Sequence, residues 1–319
     1  MTFAYHRASD LRDALARLGD ARTLPVAGGT DLVPCTEEGI LAPSTVVDVR
    51  RIPELQGISR ATDGAWRLGA AVTIRELAEH AEIRAQFPVL ADACASVGTP
   101  ALRNSGTLGG NLVQRHHCWY FRRGVGCFKR GGSQCAAVDG EHQYHGILAD
   151  GTCRAVHPSD PAVALLALDA TVIIAKQDAS ERRLSMADLF EGAANDAEKE
   201  AQLAAGELIV AVELPAAAAG GKQYWEKVMQ RGAWDFALVS SAAQRRSDGT
   251  VRIAMGGLAL GPWRLPLSIE EDVASGGLDE DSMDALAERA FYDMEPLANN
   301  GYKREMAQAC LKRAMAAIQ

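Results

Sequence analysis

No stretch of the 319-residue chain is apolar for long enough to span a bilayer, so nothing in it provides a membrane anchor. An excess of positive charge is also missing: 33 Lys and Arg face 41 Asp and Glu, a formal charge of −8, which argues against nonspecific binding to nucleic acid. The N-terminus, MTFAYHRASDLRDALARL, has no basic segment leading into an apolar core, so a secretory signal is absent. That implies a cytoplasmic protein, or a periplasmic one if a signal-bearing partner exports it. Neither Gly-x-Gly-x-x-Gly behind a strand nor Gly-x-x-x-x-Gly-Lys-Ser/Thr occurs, which disfavours a nicotinamide-binding Rossmann domain and a P-loop. No Ser/His/Asp arrangement and no telling pair of carboxylates suggests a substrate site on this chain.

What is present is the balance of a soluble globular protein, 48% apolar and 23% charged. The length exceeds the norm of about 150 residues per domain, so two domains are expected. Leu11, Ala14, Leu15 and Leu18 fall at helical spacing behind a Ser9 or Asp10 cap, with Gly19 as a stop. TLPVAGG reads as a short strand over Leu24–Ala27 breaking into a glycine turn. STVVDVRRI, AWRLGAAVT and GELIVAVELP read as strands, TIRELAEHA and FPVLADACASVG as helices, and DPAVALLALDATVIIA as a helix followed by a strand. The stretch LPAAAAGGKQ marks a boundary. Beyond it, two strand-like runs around Ser247-Asp248-Gly249 predict a hairpin, and the chain ends in helices. The expected fold class is α+β.

Four of the seven cysteines, Cys118, Cys127, Cys135 and Cys153, lie within about a ninth of the chain. In a reducing compartment such a cluster points to metal or redox chemistry rather than disulfides. Four thiolates suit either zinc or a cubane iron–sulfur cluster, and the absence of Cys-x-x-Cys knuckles tilts toward iron–sulfur. Arg115, Arg122, Arg123, Lys129 and Arg130 either offset the charge of such a cluster or form a solvated basic loop. His116, His117, His142 and His145 are expected at the surface or behind the ligands, and Trp119, Tyr120 and Phe121 as shields against water. Cys35, Cys94 and Cys310, scattered singly, read as ordinary buried small residues.

Two glycine-rich stretches, AGGTD (Ala27–Asp31) and RNSGTLGGN (Arg103–Asn111), could each bring backbone amides against a phosphate. Each alone could equally be a turn; together they favour a dinucleotide with a pyrophosphate.

The motifs LPVAGGTDLVP, GTPALRNSGTLGGNL, HPSDPAVALLALDA, GELIVAVELP and YWEKVMQR resemble, in order and interval, the FAD-binding medium subunit of the molybdenum hydroxylases, the superfamily of xanthine dehydrogenase and aldehyde oxidoreductase. The resemblance spans the chain. It implies a vanillyl-alcohol-oxidase-like (PCMH-like) FAD domain over residues 1–216, in two α/β subdomains of about 1–57 and 58–216. A smaller α+β domain, like the C-terminal domain of carbon monoxide dehydrogenase flavoprotein, would follow over 222–319. It also implies roles. Val26, Ala27, Gly28, Gly29, Thr30, Asp31 and Leu32 would wrap the FAD pyrophosphate, and Thr107, Gly109, Gly110 and Asn111 would form the second loop. Ser159 and Asp160 match the family's Ser-Asp pair, with Asp160 accepting from FAD hydroxyls; the plainer account of Asp160 is a charge at a helix N-terminus. Leu208 or Ile209 would pack on the flavin ring, and Lys227 would lie beside the cofactor or else be a solvated strand lysine.

The insertion of about 112–156, which holds the four cysteines, departs from the ordinary family member. It resembles the branches whose medium subunit carries a 4Fe-4S cluster: periplasmic-type aldehyde oxidoreductases, favoured by Arg-x-x-Cys-Trp-Tyr-Phe and the cysteine spacing, and 4-hydroxybenzoyl-CoA reductases. The implied protein is an electron-transfer subunit of a heterotrimer. A large subunit would hold the molybdenum cofactor and a small one two 2Fe-2S clusters, with electrons leaving from FAD here to an external acceptor. The alternatives are the reductase subunit with reversed electron flow, and a flavin-free zinc-binding module.

Overall fold

Three sheets organise the chain, and the second joins strands from distant parts of the sequence. The computed structural model describes residues 3–148, 153–195 and 199–319, without the side chains of 192–195; residues 149–152 of the expected insertion lie outside the described residues. The first sheet is parallel, with β1 (Ala4–Arg7), β2 (Thr23–Val26) and β3 (Thr45–Asp48) in the order β1-β3-β2. The second is antiparallel: β4 (Ile58–Arg60), β5 (Trp66–Gly69), β6 (Thr171–Ala175), β7 (Glu181–Ser185) and β8 (Leu208–Leu214) run in the order β4-β5-β8-β6-β7. The third begins past the proline–glycine stretch. There β9 (Lys222–Val228), β10 (Val239–Arg245), β11 (Val251–Gly256) and β12 (Trp263–Arg264) form an antiparallel sheet in the order β12-β11-β10-β9.

Local chemistry accounts for the elements. Asp10 caps helix Leu11–Leu18 by accepting from the Asp13 amide. Thr73 and Glu76 form a reciprocal capping box at helix Ile74–Glu79. Ser159 caps helix Asp160–Ala167, all eight residues of which are buried. A helix apolar on every side belongs inside a core, and this one packs against β10 and β11 as well as helix Pro88–Ala95.

The first two sheets share a core that includes Leu15, Val47, Leu68, Leu90, Leu165 and Val212. The third sheet and helices Leu267–Ser275, Glu280–Ala290 and Tyr302–Ile318 enclose another, with Val239, Ile253, Phe291 and Leu311. The cysteine insertion, assigned from sequence to the FAD domain, also leans on the C-terminal one. Ile147 sits in the C-terminal core, donates to the Leu258 carbonyl (2.9 Å) and accepts from the Glu295 amide (2.9 Å). Buried Lys303 donates to the carbonyls of Tyr144 and Gly257 at 2.9 and 2.8 Å. Sequence could not show this, because the partners lie more than a hundred residues downstream.

Asp169 joins the two parts. It takes a left-handed conformation (φ 53°) directly after the buried helix, and its carboxylate accepts from Arg246 (2.6 Å), Arg252 (2.9 Å) and Arg264 (2.5 Å). Burial alone would raise its pKa, but the arginines, Arg264 foremost, hold it below the usual carboxylate range. Such a contribution to stability is present above the unfolded pKa of about 3.9 and is lost as pH falls through the lower folded value. Asp169→Asn is expected to cost about 2 kcal/mol at neutral pH. Denaturant unfolding from pH 7 to pH 2 should show that gap closing below about pH 4.

Candidate cofactor site

The two glycine loops lie side by side and line one cleft of about 560 Å³. Behind β2, Gly29 takes φ 71°, and among the described residues no internal hydrogen bond uses the amides of Gly28, Gly29, Thr30 or Asp31. Four successive uncommitted amides in a glycine turn form a cradle for an anion. The second loop is clamped by the chain that continues β5: Ile74 donates to the Gly106 carbonyl, Leu108 to Val72 and Gly109 to Ala70, at 2.8–3.0 Å. The loops touch, since a Cβ on Gly28 would lie 2.0 Å from the Ser105 carbonyl oxygen. Gly28 is therefore needed first for loop-to-loop packing, a reason that sequence did not reveal.

Val26 to Leu32, Thr107, Gly110, Asn111, Asp160 and Lys227 all line this cleft. Three of the expected residues do not. Gly109 is buried against Ala70, where a Cβ would come within 2.9 Å. Ser159 is committed to capping and donates its hydroxyl to Asn111 Oδ1. Leu208 lines a smaller cavity of about 120 Å³ that abuts the cleft at Ala27, Thr107 and Gly110 and also contains Ile209.

The charged members behave differently from the simplest expectation. Lys227 is not a solvated lysine: it is buried, with Nζ 2.7 Å from Asp160 Oδ2 and 3.1 Å from the Ser96 carbonyl. Burial pushes Asp160 up to about 6 and the Lys227 ammonium opposes the rise. Asp31 lines the cleft but turns both oxygens toward the insertion, accepting from the Arg115 amide at 2.7 Å and from the Arg122 guanidinium at 2.9 Å. A carboxylate facing a pyrophosphate would repel it, so this orientation suits an anion cradle. Arg122 also reaches Cys35 Sγ at 2.9 Å, so Cys35, though buried, belongs to a polar junction rather than to ordinary core.

The β9–β10 loop, unassigned from sequence, contributes Arg231, Trp234, Asp235 and Phe236 to the cleft wall. Trp234 and Phe236 are exposed, and Phe236 lies against His117 with ring centroids 4.4 Å apart. Two aromatics within three residues, in a chain with only 6% aromatics, are the signal that could have marked it.

In the insertion, Cys118, Cys127, Cys135 and Cys153 line one narrow cavity together with Tyr120, Phe121, Phe128 and Lys129. None of the seven cysteines forms a disulfide. Burial pushes the Cys118 thiol up and that of Cys153 to about 12. Tyr120 and Phe121 wall the cavity as expected, whereas Trp119 faces the adjoining space of about 310 Å³ toward the cleft. The basic residues are not simply a solvated loop. Lys129 is buried beside Glu200, which also binds Arg115 and His116 at 2.7 and 3.2 Å, while Arg123 and Arg130 are exposed. Of the four histidines only His117 is exposed; His116, His142 and His145 are buried. Among the described residues, no three His, Cys, Asp or Glu side chains stand close enough to hold a single metal ion, and no helix is long and apolar enough to cross a membrane.

A cleft lined by two glycine loops and by the β9–β10 loop of the third sheet is the geometry of a dinucleotide-phosphate site. Residues 1–217 match the family described as the FAD binding domain in molybdopterin dehydrogenase, and the chain belongs to that family. It is 35% identical over 98% of its length, and 97% of the relative's, to the aldehyde oxidoreductase FAD-binding subunit PaoB of Escherichia coli K12. It is 26% identical to the glyceraldehyde dehydrogenase medium chain of Sulfolobus acidocaldarius, over 98% and 96% of the two chains. The fold superposes on a chain of carbon monoxide dehydrogenase from Hydrogenophaga pseudoflava with a TM-score of 0.76 at 24% identity, covering 100% and 97% of the two chains. The α+β class expected from sequence holds.

Two substitutions test the cleft. Gly28→Ala should drive the loops apart and reduce FAD retained on purification at least tenfold, read by flavin absorbance per protein. Lys227→Met should raise Asp160 beyond about 6, because the buried carboxylate loses its cation; infrared difference titration against Asp160→Asn reports the carboxyl directly.

Proposed function

We propose that this chain is the FAD- and 4Fe-4S-binding electron-transfer subunit of a heterotrimeric molybdenum-containing aldehyde oxidoreductase. The observation that carries the reading is the convergence of the four clustered thiols of the insertion on one cavity near the glycine-loop cleft, in a chain alike over its whole length to an aldehyde oxidoreductase FAD-binding subunit. A large molybdenum-cofactor subunit and a small 2Fe-2S subunit would be its partners, and the substrate site would lie on the large one.

Within this reading, the amides of Gly28–Asp31 and the loop Thr107–Asn111 bind the FAD pyrophosphate, with Thr30 adding a hydroxyl and Val26, Ala27 and Leu32 the walls. Asp160 and Lys227 offer a buried carboxylate and ammonium to cofactor hydroxyls and polar edges. Leu208 and Ile209 form the apolar wall for the flavin ring. When bound, flavin and cluster supply the two- and one-electron redox chemistry; the chain's part is to bind and orient them and keep water away. Four thiols around an apolar cavity suit a cubane, whose cysteine sulfurs stand further apart than those around one zinc ion. Among the described residues no side-chain group is spaced for a single ion, which counts against the zinc module. Binding would release the thiol protons; burial raises the Cys153 thiol, and nearby Lys129 opposes part of that rise.

The chain purified anaerobically is expected to contain about four irons and four acid-labile sulfides with releasable FAD. Cys127→Ser should lose that iron while keeping FAD. One zinc without sulfide, or unchanged iron in the variant, would overturn the cluster assignment.

A further inference from the structure

The four histidines of the insertion have separate partners. His116 bridges Glu200 and the Leu260 carbonyl. His142 is fixed between the Ala137 carbonyl (2.8 Å) and the Asn299 amide (2.9 Å). His117 lies against Phe236 and Arg122. His145 alone of these meets a clustered thiol, with Nε2 3.2 Å from Cys118 Sγ. Its ring is 4% exposed and lies 5.3 Å from the Trp119 ring and 6.1 Å from that of Tyr120. Its Nδ1 is buried without a hydrogen-bond partner.

The position makes chemical sense only with respect to sulfur. A buried imidazole with one nitrogen unpaired carries a desolvation cost, and the contact to Cys118 is what offsets it. When Cys118 is a metal-bound thiolate it has no proton to give, so the proton of the contact must reside on Nε2. The imidazole then donates an N–H···S hydrogen bond. His145 also lines the space that separates the thiol cavity from the glycine-loop cleft, a space to which Cys118 and Asp160 both contribute. It therefore stands on the side of the cluster that faces the cofactor.

We propose that His145 is a positioning residue that donates Nε2–H to Cys118 Sγ and thereby raises the reduction potential of the cluster on its cofactor-facing side. The inference rests on the cubane reading above. A hydrogen bond to a ligand sulfur stabilises the more negative, reduced cluster over the oxidised one. The backbone amides of Tyr120 and Phe121, which also lie at the Cys118 sulfur, act in the same direction, but no side-chain substitution removes them.

The test is an EPR-monitored potentiometric titration of the FAD-loaded full chain in three forms. His145→Phe keeps a ring and removes the donor; His145→Gln places an amide N–H at a similar reach. The Phe variant is expected to make one-electron reduction of the cluster about tenfold less favourable, a downward shift of about 59 mV, with iron, sulfide and FAD contents unchanged. The Gln variant should retain most of the wild-type potential. His145→Leu serves as the donor-free variant if Phe overfills the site. An unshifted potential in the donor-free variant, or equal shifts in both variants, would overturn the proposal while leaving the cluster itself in place. Wild-type chain without iron and sulfide would overturn the cluster reading and this inference with it.

Discussion

The approach of backbone to backbone between Gly28 and the Ser105 carbonyl is the constraint from which the cleft follows. Any side chain at position 28 would occupy the carbonyl's position, so only glycine lets the loop behind the parallel sheet lie against the loop held by the antiparallel one. The second loop cannot retreat, because three backbone hydrogen bonds fix it to Ala70–Ile74, and Ala70 in turn donates to the Val210 carbonyl. The cradle is thus anchored to the middle of a five-stranded sheet. That anchoring keeps its amides uncommitted without letting the loop collapse to satisfy them, a preorganisation that lowers the cost of ligand binding.

Charge then connects what the loops place. Carboxylates at the junctions have cations from other parts of the chain: Asp31 with Arg122, Glu200 with Arg115 and Lys129, Asp160 with Lys227, Asp169 with three arginines. Such pairs are weak evidence for stability, since desolvation offsets much of the attraction. Their effect is positional. Asp31 makes one residue both the wall of the cleft and the anchor of the cysteine insertion, so displacement of the insertion would disturb the glycine loop over Ala27–Asp31.

Local elements were legible in the sequence because their determinants are local. The cap at Asp10, the strand of Leu208–Leu214 and the hairpin around Ser247–Gly249 depend on neighbours within a few residues. Most of the cleft was legible too, but through motif resemblance rather than through physics. The pairings that decide chemistry were not. Whether Lys227 is solvated or buried depends on Asp160, 67 positions away, and whether the insertion's arginines and lysine face water depends on Asp31 and Glu200. Arg231, Trp234 and Phe236 escaped because the hairpin that carries them reads as an ordinary connection until the third sheet is docked.

The same reasoning explains why an insertion of this size can be carried by the fold. A loop of about 45 residues with little regular structure would be costly inside a compact protein unless something replaced the missing core. Here the replacement is threefold: Ile147 enters the C-terminal core, buried Lys303 grips the Tyr144 carbonyl, and Asp31 and Glu200 bind the basic residues at the insertion's start. The four thiols lie among these attachments, in a cavity walled by Phe121 and Phe128. A ligand bound there would cross-link segments already held at their ends. It would add stability to the native state that grows with the logarithm of its concentration relative to its dissociation constant, and each anchor that fixes the insertion to the body also fixes the distance from thiols to cleft.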